Sequence, residues 1–200
     1  MRGLILLLAA WSASAFAGNQ AYEALSAGVR AQLQQSVSDH SSPGMVFRTE
    51  SEGVLWLADM SNRLKKRMPD EATRIDFLRT VQYEASRAGL DPQLVLGLIQ
   101  VESGFRKYAV SSAGARGYMQ VMPFWVSQIG TPDQDLFQLR TNLRYGCIIL
   151  RHYLDIENGD LFRALGRYNG SLGLADYPER VRSAWHVDWA YPRQRFAEAR

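Results

Sequence analysis

The chain has 200 residues, 46% of them hydrophobic, which suits one domain with a substantial core and a short extension. Its formal net charge is only +3, and no basic stretch is interleaved with aromatic residues, so nucleic-acid binding is not indicated. No stretch after the N-terminus is long and apolar enough to span a bilayer.

The N-terminus has the pattern of a secretory signal peptide. Arg2 supplies a positive charge, an apolar run follows at 4–10, and Ala15-Phe16-Ala17 is an A-x-A cleavage site. The apolar run is short and is followed by Ser12 and Ser14, which disfavours a membrane-anchoring helix. The pattern predicts export, with cleavage after Ala17 and residues 1–17 removed.

An N-terminal helical extension is predicted at residues 18–70. Helical periodicity occurs over 20–37 and again from Leu57 to Met68, and the stretch 38–50 between them has the composition of a loop. Pro69-Asp70 ends the second helix. The basic run 65–67 is interpreted as a solvated edge, with attraction to an anionic wall polymer as a weaker alternative.

The rest of the chain is predicted to be a compact helical domain at 71–190, with a tail at 191–200. A helix over 71–88 ends at Gly89, and Asp91 and Pro92 begin a helix that is apolar almost all round and therefore buried. Further helices are predicted at 119–129, 142–154, 161–168 and 178–190, so the fold class is all-α. Cys147 has helical spacing with Leu residues and is predicted to be a core residue.

Glu102 stands at the end of the buried helix. It follows Ile99 by three residues and Leu98 by four, so it shares their apolar face. A glutamate at a helix end is more often exposed or paired with a cation, and this helix alone favours that interpretation. If the carboxyl is buried, its pKa is raised, and it can hold a proton near neutral pH as a general acid must.

Three stretches in a fixed order favour the catalytic interpretation. They are Glu102–Phe105 (ESGF), Ser111–Pro123 (SSAGARGYMQVMP) and Arg167–Ser171 (RYNGS). Their order and spacing resemble the catalytic domain of soluble lytic transglycosylases, a lysozyme-like fold related to goose-type lysozyme, over roughly residues 75–185. Any one stretch alone would be read as a turn or as core, but the ordered set indicates function.

The resemblance implies a bacterial, periplasmic enzyme that cleaves peptidoglycan between N-acetylmuramic acid and N-acetylglucosamine, leaving a 1,6-anhydro-muramoyl end. It implies no metal and no organic cofactor. Glu102 matches the family's single catalytic acid/base, and the Tyr168 hydroxyl is expected close to its carboxyl. The residues that match the family's substrate-binding positions are Ser111, Met119, Gln120, Tyr168 and Asn169.

Only one convincing catalytic carboxyl is found. Asp91 lies at the far end of the buried helix, and Asp133 and Asp135 follow a Gly-Thr-Pro turn as loop or capping residues. Glycosidases that flank the bond with two carboxylates are therefore disfavoured, and a single-acid mechanism with help from the substrate's acetamido group is expected. Gly114 and Gly117 are expected to let the backbone approach the glycan closely.

Two other functions remain open on the sequence. A goose-type muramidase would use water and leave a reducing end, and a non-catalytic peptidoglycan-binding protein would keep only the fold. Intact Glu102 and Tyr168 disfavour the second. Glycan strands of peptidoglycan are the expected partner, and a role beside a secretion or conjugation machine is compatible with the resemblance.

Overall fold

The computed structural model describes residues 20, 22–38, 47 and 49–191. The predicted signal peptide, its cleavage site and all of the predicted tail except Tyr191 lie outside the described residues. Within this part of the chain, the only β-structure is a pair of isolated bridges, Val110 with Arg116 and Arg116 with Val121. The all-α prediction is therefore confirmed.

The described elements are helices α1 (Ala27–Ser38), α2 (Glu50–Leu64), α3 (Glu71–Arg87), α4 (Pro92–Glu102), α5 (Phe124–Ile129), α6 (Leu139–Ile156), α7 (Leu161–Asn169) and α8 (Asp176–Ser183), and then a π-helical turn at Ala184–Asp188. None of the described helices is both long and apolar enough to cross a membrane.

Two predicted helix starts are confirmed by their capping bonds. The Asp91 side chain accepts a hydrogen bond from the Gln93 backbone N–H at 2.8 Å, with Pro92 in the first turn. Asp160 accepts from the Arg163 N–H at 3.1 Å and begins α7. Polar N-caps satisfy N–H groups that have no partner inside the helix, so they mark boundaries well.

The predicted helix at 119–129 begins too early, and the structure starts α5 at Phe124. Gln120 has a φ of +50°, a left-handed value that interrupts a helix. The Met119 N–H donates to the Asn142 side chain at 2.8 Å instead of entering a helical ladder. Residues 119–123 are thus non-helical, with a turn that ends at Gln120 and a bridge at Val121, although their apolar spacing resembles that of a helix.

Helix α4 lies in the middle of the core. It packs against α3 on one side and against α8 and the π-helical turn on the other. Leu96, Leu98 and Ile99 are fully buried, and so is Cys147 of α6, as predicted. Gly97 allows the π-helical turn to approach, because a Cβ there would lie 2.8 Å from the Trp185 backbone nitrogen.

Helix α2 contributes to the same core as α3 and α4. Its Trp56, Met60 and Leu64 side chains are at most 1% exposed and belong to the cluster that also contains Phe77 of α3. The sequence placed α2 in the N-terminal extension, and in the structure it packs directly on α3. Helix α1 packs on α5 and α6 at another part of the molecule.

Candidate active site

Glu102, at the C-terminus of α4, is a buried carboxyl with one hydrogen-bond donor. The side chain is 4% exposed, and its Oε1 accepts a hydrogen bond from the Tyr177 hydroxyl at 2.5 Å. Its Oε2 has no hydrogen-bond partner among the described residues. Burial raises the pKa of Glu102 to about 8, so the group holds its proton at neutral pH.

Two groups of α8 oppose the effect of burial on Glu102. The hydrogen bond from Tyr177 and, more weakly, the charge of Arg180 lower the pKa of this carboxyl, because both stabilise its ionised form. Burial raises the pKa of Tyr177 well above its usual value, so its hydroxyl keeps the proton that it donates. Helix α8 therefore carries the two groups that stabilise the ionised form of Glu102.

Tyr168 of α7 is close enough to Glu102 to be affected by its charge, but its hydroxyl forms its hydrogen bond with a different residue. Its buried hydroxyl donates to the Met119 carbonyl oxygen at 2.8 Å. Burial raises the pKa of Tyr168, and the charge of Glu102 adds to that rise. The tyrosine whose hydroxyl contacts the Glu102 carboxyl is Tyr177, which the sequence motifs did not include.

Met119, Gln120 and Ser111 hold the loop that follows Glu102. Met119 is fully buried, and its side chain packs so closely on Gly146 that a Cβ there would collide with it. The Gln120 Nε2 donates to the carbonyl oxygens of Ala109 at 3.1 Å and Gly117 at 3.0 Å. The Ser111 Oγ accepts from the Ala115 N–H at 3.1 Å. These bonds fix the loop's shape.

Gly117 is required by packing inside the protein. Its φ is +75°, and a Cβ there would lie 2.7 Å from the Leu136 carbonyl oxygen and still closer to the Asn142 side chain. The close approach that the structure shows at Gly117 is to Leu136 and to Asn142 of α6, and the expected approach to the glycan stays a prediction. Gly114 has a φ of +87° and open space around it.

The structure joins Tyr168 to Met119 by a hydrogen bond and places Tyr168 where the charge of Glu102 acts on it, and the predicted residues differ in exposure. Met119, Gln120, Tyr168 and Asn169 are all at most 4% exposed, whereas Ser111 is half-buried. The missed residue, Tyr177, has a signal in the sequence, since Tyr177, Val181 and Trp185 recur at helical spacing and place the hydroxyl on the inner face of α8.

No group of three or more histidine, cysteine, aspartate or glutamate side chains in the described part of the chain is arranged to hold a metal ion. The groups that shift the pKa of Glu102 are Tyr177 and Arg180, and no second carboxylate is among them. Among the described residues, Glu102 therefore has one hydroxyl bonded to it, one cation that acts on its charge, and the Tyr168 hydroxyl on which its own charge acts.

A family model matches the part of the chain that contains this site. Residues 79–183 match the family model described as Transglycosylase SLT domain, which covers more than half of the chain. The chain belongs to that family.

Several curated relatives carry related names. A transglycosylase of Enterobacteria phage PRD1 is 30% identical over 109 residues, which are 54% of this chain and 40% of the relative. Membrane-bound lytic murein transglycosylase C of Mannheimia succiniciproducens is 41% identical over 64 residues, 32% of this chain and 16% of the relative. The matched region therefore spans less than half of either relative.

A solved structure of an inactive mutant of the lytic transglycosylase Slt from Pseudomonas aeruginosa aligns with 69% of this chain and 23% of its own, at 26% identity and a TM-score of 0.43.

Proposed function

We propose that the chain is a peptidoglycan lytic transglycosylase. It cleaves the β-1,4 bond between N-acetylmuramic acid and N-acetylglucosamine and leaves a 1,6-anhydro-muramoyl end. Membership of the family and the names of the relatives support this activity. The observation that carries the proposal is Glu102, a buried carboxyl whose pKa of about 8 keeps it protonated and whose Oε2 has no hydrogen-bond partner among the described residues.

Glu102 acts first as the general acid. Its proton passes to the glycosidic oxygen as the bond to the muramoyl C1 breaks, and a carboxyl that is neutral at the working pH is suited to this step. The charge that then appears on Glu102 is stabilised by the Tyr177 hydroxyl at 2.5 Å and by the positive charge of Arg180.

The second step uses the same carboxyl as a base. The acetamido group of the muramoyl sugar stabilises the cation at C1, as in substrate-assisted glycosidases. Glu102, now ionised, takes the proton of the muramoyl 6-hydroxyl as that oxygen attacks C1, which regenerates the acid. Attack within one sugar has a large proximity advantage over attack by water. No second carboxylate is needed.

The remaining predicted site residues are proposed to shape the glycan groove. Tyr168 and Met119 are joined by a hydrogen bond, Gln120 and Ser111 brace the loop, and Asn169 ends α7 beside them. Because most of these side chains are buried, we propose that they act mainly by fixing the backbone that the glycan contacts.

The setting of the enzyme is proposed from the N-terminal pattern and the family. Residues 1–17 are a signal peptide cleaved after Ala17, and the enzyme then works in the periplasm on peptidoglycan glycan strands. Residues 71–190 form the catalytic domain, 18–70 the N-terminal extension and 191–200 the tail. Service to a secretion or conjugation machine, which would need a local opening in the wall, is a further proposal.

Digestion of purified sacculi followed by mass spectrometry tests the reaction. The expected products carry anhydro-muramoyl ends, which are lighter by one water than the reducing ends made by a muramidase. Reducing ends would show hydrolysis of the goose-type kind. Absence of any soluble product from a folded protein would contradict the enzymatic assignment.

A further inference from the structure

A small exposed surface beside the catalytic loop combines cations with aromatic rings. It consists of the exposed Lys107, Tyr108 and Arg116 and the half-buried Phe137, and is called the cation–aromatic patch below. Tyr108 is 71% exposed, and its ring centroid lies 5.8 Å from that of Phe137. The Lys107 ammonium lies 5.1 Å above the Tyr108 ring, and the Arg116 guanidinium 5.9 Å above that of Phe137.

The patch is built by buried contacts from three separate places in the sequence. The Asn142 side chain is fully buried, and its Nδ2 donates to the carbonyl oxygens of Arg116 and Leu136, each at 2.8 Å. These bonds place Arg116 beside Phe137, the residue after Leu136. Because the patch residues come from separate positions that a buried amide joins, they do not form a continuous basic and aromatic stretch in the sequence.

The same loop joins the patch to the proposed active site. Tyr108 precedes Ala109, whose carbonyl oxygen accepts from the Gly117 N–H at 2.9 Å and from the Gln120 Nε2 at 3.1 Å. Arg116 pairs through its backbone with Val121, next to Gln120. Three patch residues, Lys107, Tyr108 and Arg116, therefore lie with Gln120 on one braced loop that follows Glu102, and Phe137 lies beside this loop.

No carboxylate of the described residues neutralises the two cations of the patch. Neither Lys107 nor Arg116 forms an ion pair with a carboxylate within residues 49–191 or the described residues before them. Many other arginines are paired, for example Arg144 with Glu84 and Arg167 with Glu157. Two exposed unpaired charges over aromatic rings leave a positive surface with apolar faces.

We propose that the cation–aromatic patch binds the peptide stem of peptidoglycan next to the glycan that is being cleaved. The stem carries free carboxylates, which complement Lys107 and Arg116, and its apolar groups and the neighbouring sugar faces pack on the Tyr108 and Phe137 rings. Such a site makes the enzyme prefer glycan that still carries its stems. The inference rests on the proposed function, because it takes the same polymer as ligand.

Binding without cleavage tests the patch. The full chain carrying Glu102→Gln is sedimented with intact sacculi and, separately, with glycan strands stripped of stems by an amidase. Lys107→Gln with Arg116→Gln is expected to weaken binding to intact sacculi roughly tenfold, since two exposed charge contacts are lost. Binding to stripped strands should change less than about twofold, because the stem carboxylates are gone. At most one weak charge contact is then left to lose, and an exposed contact at its weakest is worth little.

Matched variants separate the patch from general surface effects. Lys65→Gln with Lys66→Gln removes the same charge from an exposed run after α2 that is interpreted as a solvated edge, and a loss of binding in this pair would instead support attraction of that run to the wall polymer. Tyr22→Ala matches Tyr108→Ala, because both tyrosines are exposed and each meets a phenylalanine ring edge-on or tilted. The patch variants should weaken binding to intact sacculi, and the control variants should not.

Three results would overturn the proposal. The first is equal binding by the patch variant and the lysine control, and the second is equal loss on intact and stripped strands. The third is displacement of sacculi by single-stranded DNA at equal anion concentration, which would indicate a general polyanion surface. If wild-type protein makes no anhydro products while the binding differences persist, the proposed activity fails and the binding site stands.

Discussion

Two buried glutamates on neighbouring helices have opposite surroundings. Glu84 of α3 is 2% exposed and lies 3.3, 3.3 and 2.9 Å from the side chains of Arg87, Arg140 and Arg144. Glu102 of α4 is 4% exposed and has one hydroxyl donor, and no cation forms an ion pair with it within the described part of the chain.

The comparison shows that the partners of a buried carboxyl decide its chemistry. Three guanidinium groups offset the cost of burying a charge at Glu84 and tie α3 to α6. At Glu102 the pKa-raising effect of burial is opposed mainly by one tyrosine hydroxyl. The pKa is therefore about 8, and the neutral form is favoured below that pH. Glu84 is therefore assigned to stability and Glu102 to proton transfer.

Glu102→Gln should have the largest effect, and it should fall on activity. The amide keeps the shape but cannot give up and regain a proton. Loss of general acid–base catalysis typically costs about 10²–10⁴-fold, and the upper end is expected with no second carboxylate to share the work. Release of anhydro-muropeptides from sacculi measures it. A near wild-type rate would move attention to Asp133 or Asp135.

The free energy of unfolding of Glu102→Gln is the control for folding, and the direction in which it changes with pH relative to wild type can be predicted. Because the folded-state pKa of Glu102, about 8, is above the ordinary 4.5, the wild-type protein loses stability as pH rises between these values. The variant lacks this loss, so its stability relative to wild type should rise from pH about 4.5 and level off above pH about 8. Denaturant unfolding across that range measures it.

Glu84→Gln should have the next largest effect, and it should fall on stability. Removing the carboxylate leaves Arg87, Arg140 and Arg144 close together without their shared partner. Breaking a buried ionic cluster in this way typically costs about 3–5 kcal/mol. Urea unfolding measures the loss. If stability were unchanged while activity fell as far as in Glu102→Gln, the two assignments would have to be exchanged.

The sequence predicts the elements of this fold well where local chemistry determines them. Asp91 with Pro92, and Asp160, begin helices as expected, because a capping side chain acts within its own turn. Residues 119–123 were predicted wrongly because a long-range bond from Asn142 and the left-handed Gln120 override apolar spacing.

The candidate site is predicted less completely than the fold. Glu102 could be chosen from its apolar helix and its motif, but its burial depends on α8, which packs against α4 from far along the chain. Tyr177 and Glu102 are 75 residues apart in the sequence, and no local pattern predicts the hydrogen bond between them. Gly117 shows the same limit, since its neighbour Asn142 comes from the next long helix.

Tyr177→Phe should have a smaller effect on activity and should also change the pH profile. A hydrogen bond to a charged group is worth about 1.5–3 kcal/mol, so the rate should fall roughly 10–100-fold. The pKa of Glu102 should rise further, and the alkaline limb of kcat/KM should move to higher pH. Tyr168→Phe, which removes a bond to Met119, should leave that limb in place.

Arg180→Gln should have the smallest effect of the series. The side chain is about half exposed, so solvent screens its charge, and its influence on Glu102 is weaker than that of Tyr177. The alkaline limb should move in the same direction as in Tyr177→Phe, by a smaller amount. Arg182→Gln on the same helix is the control and should not move it. A shift to lower pH in Arg180→Gln would contradict the electrostatic assignment.

The most direct measurement of the central claim is an NMR titration of the Glu102 carboxyl. Protein labelled with ¹³C at glutamate side-chain carboxyls is titrated, and the Glu102 signal is assigned by its loss in Glu102→Gln. We expect that signal to titrate with a midpoint near the pKa of about 8 and to move upward in Tyr177→Phe. A midpoint near the ordinary 4.5 would contradict the claim that Glu102 holds its proton at neutral pH.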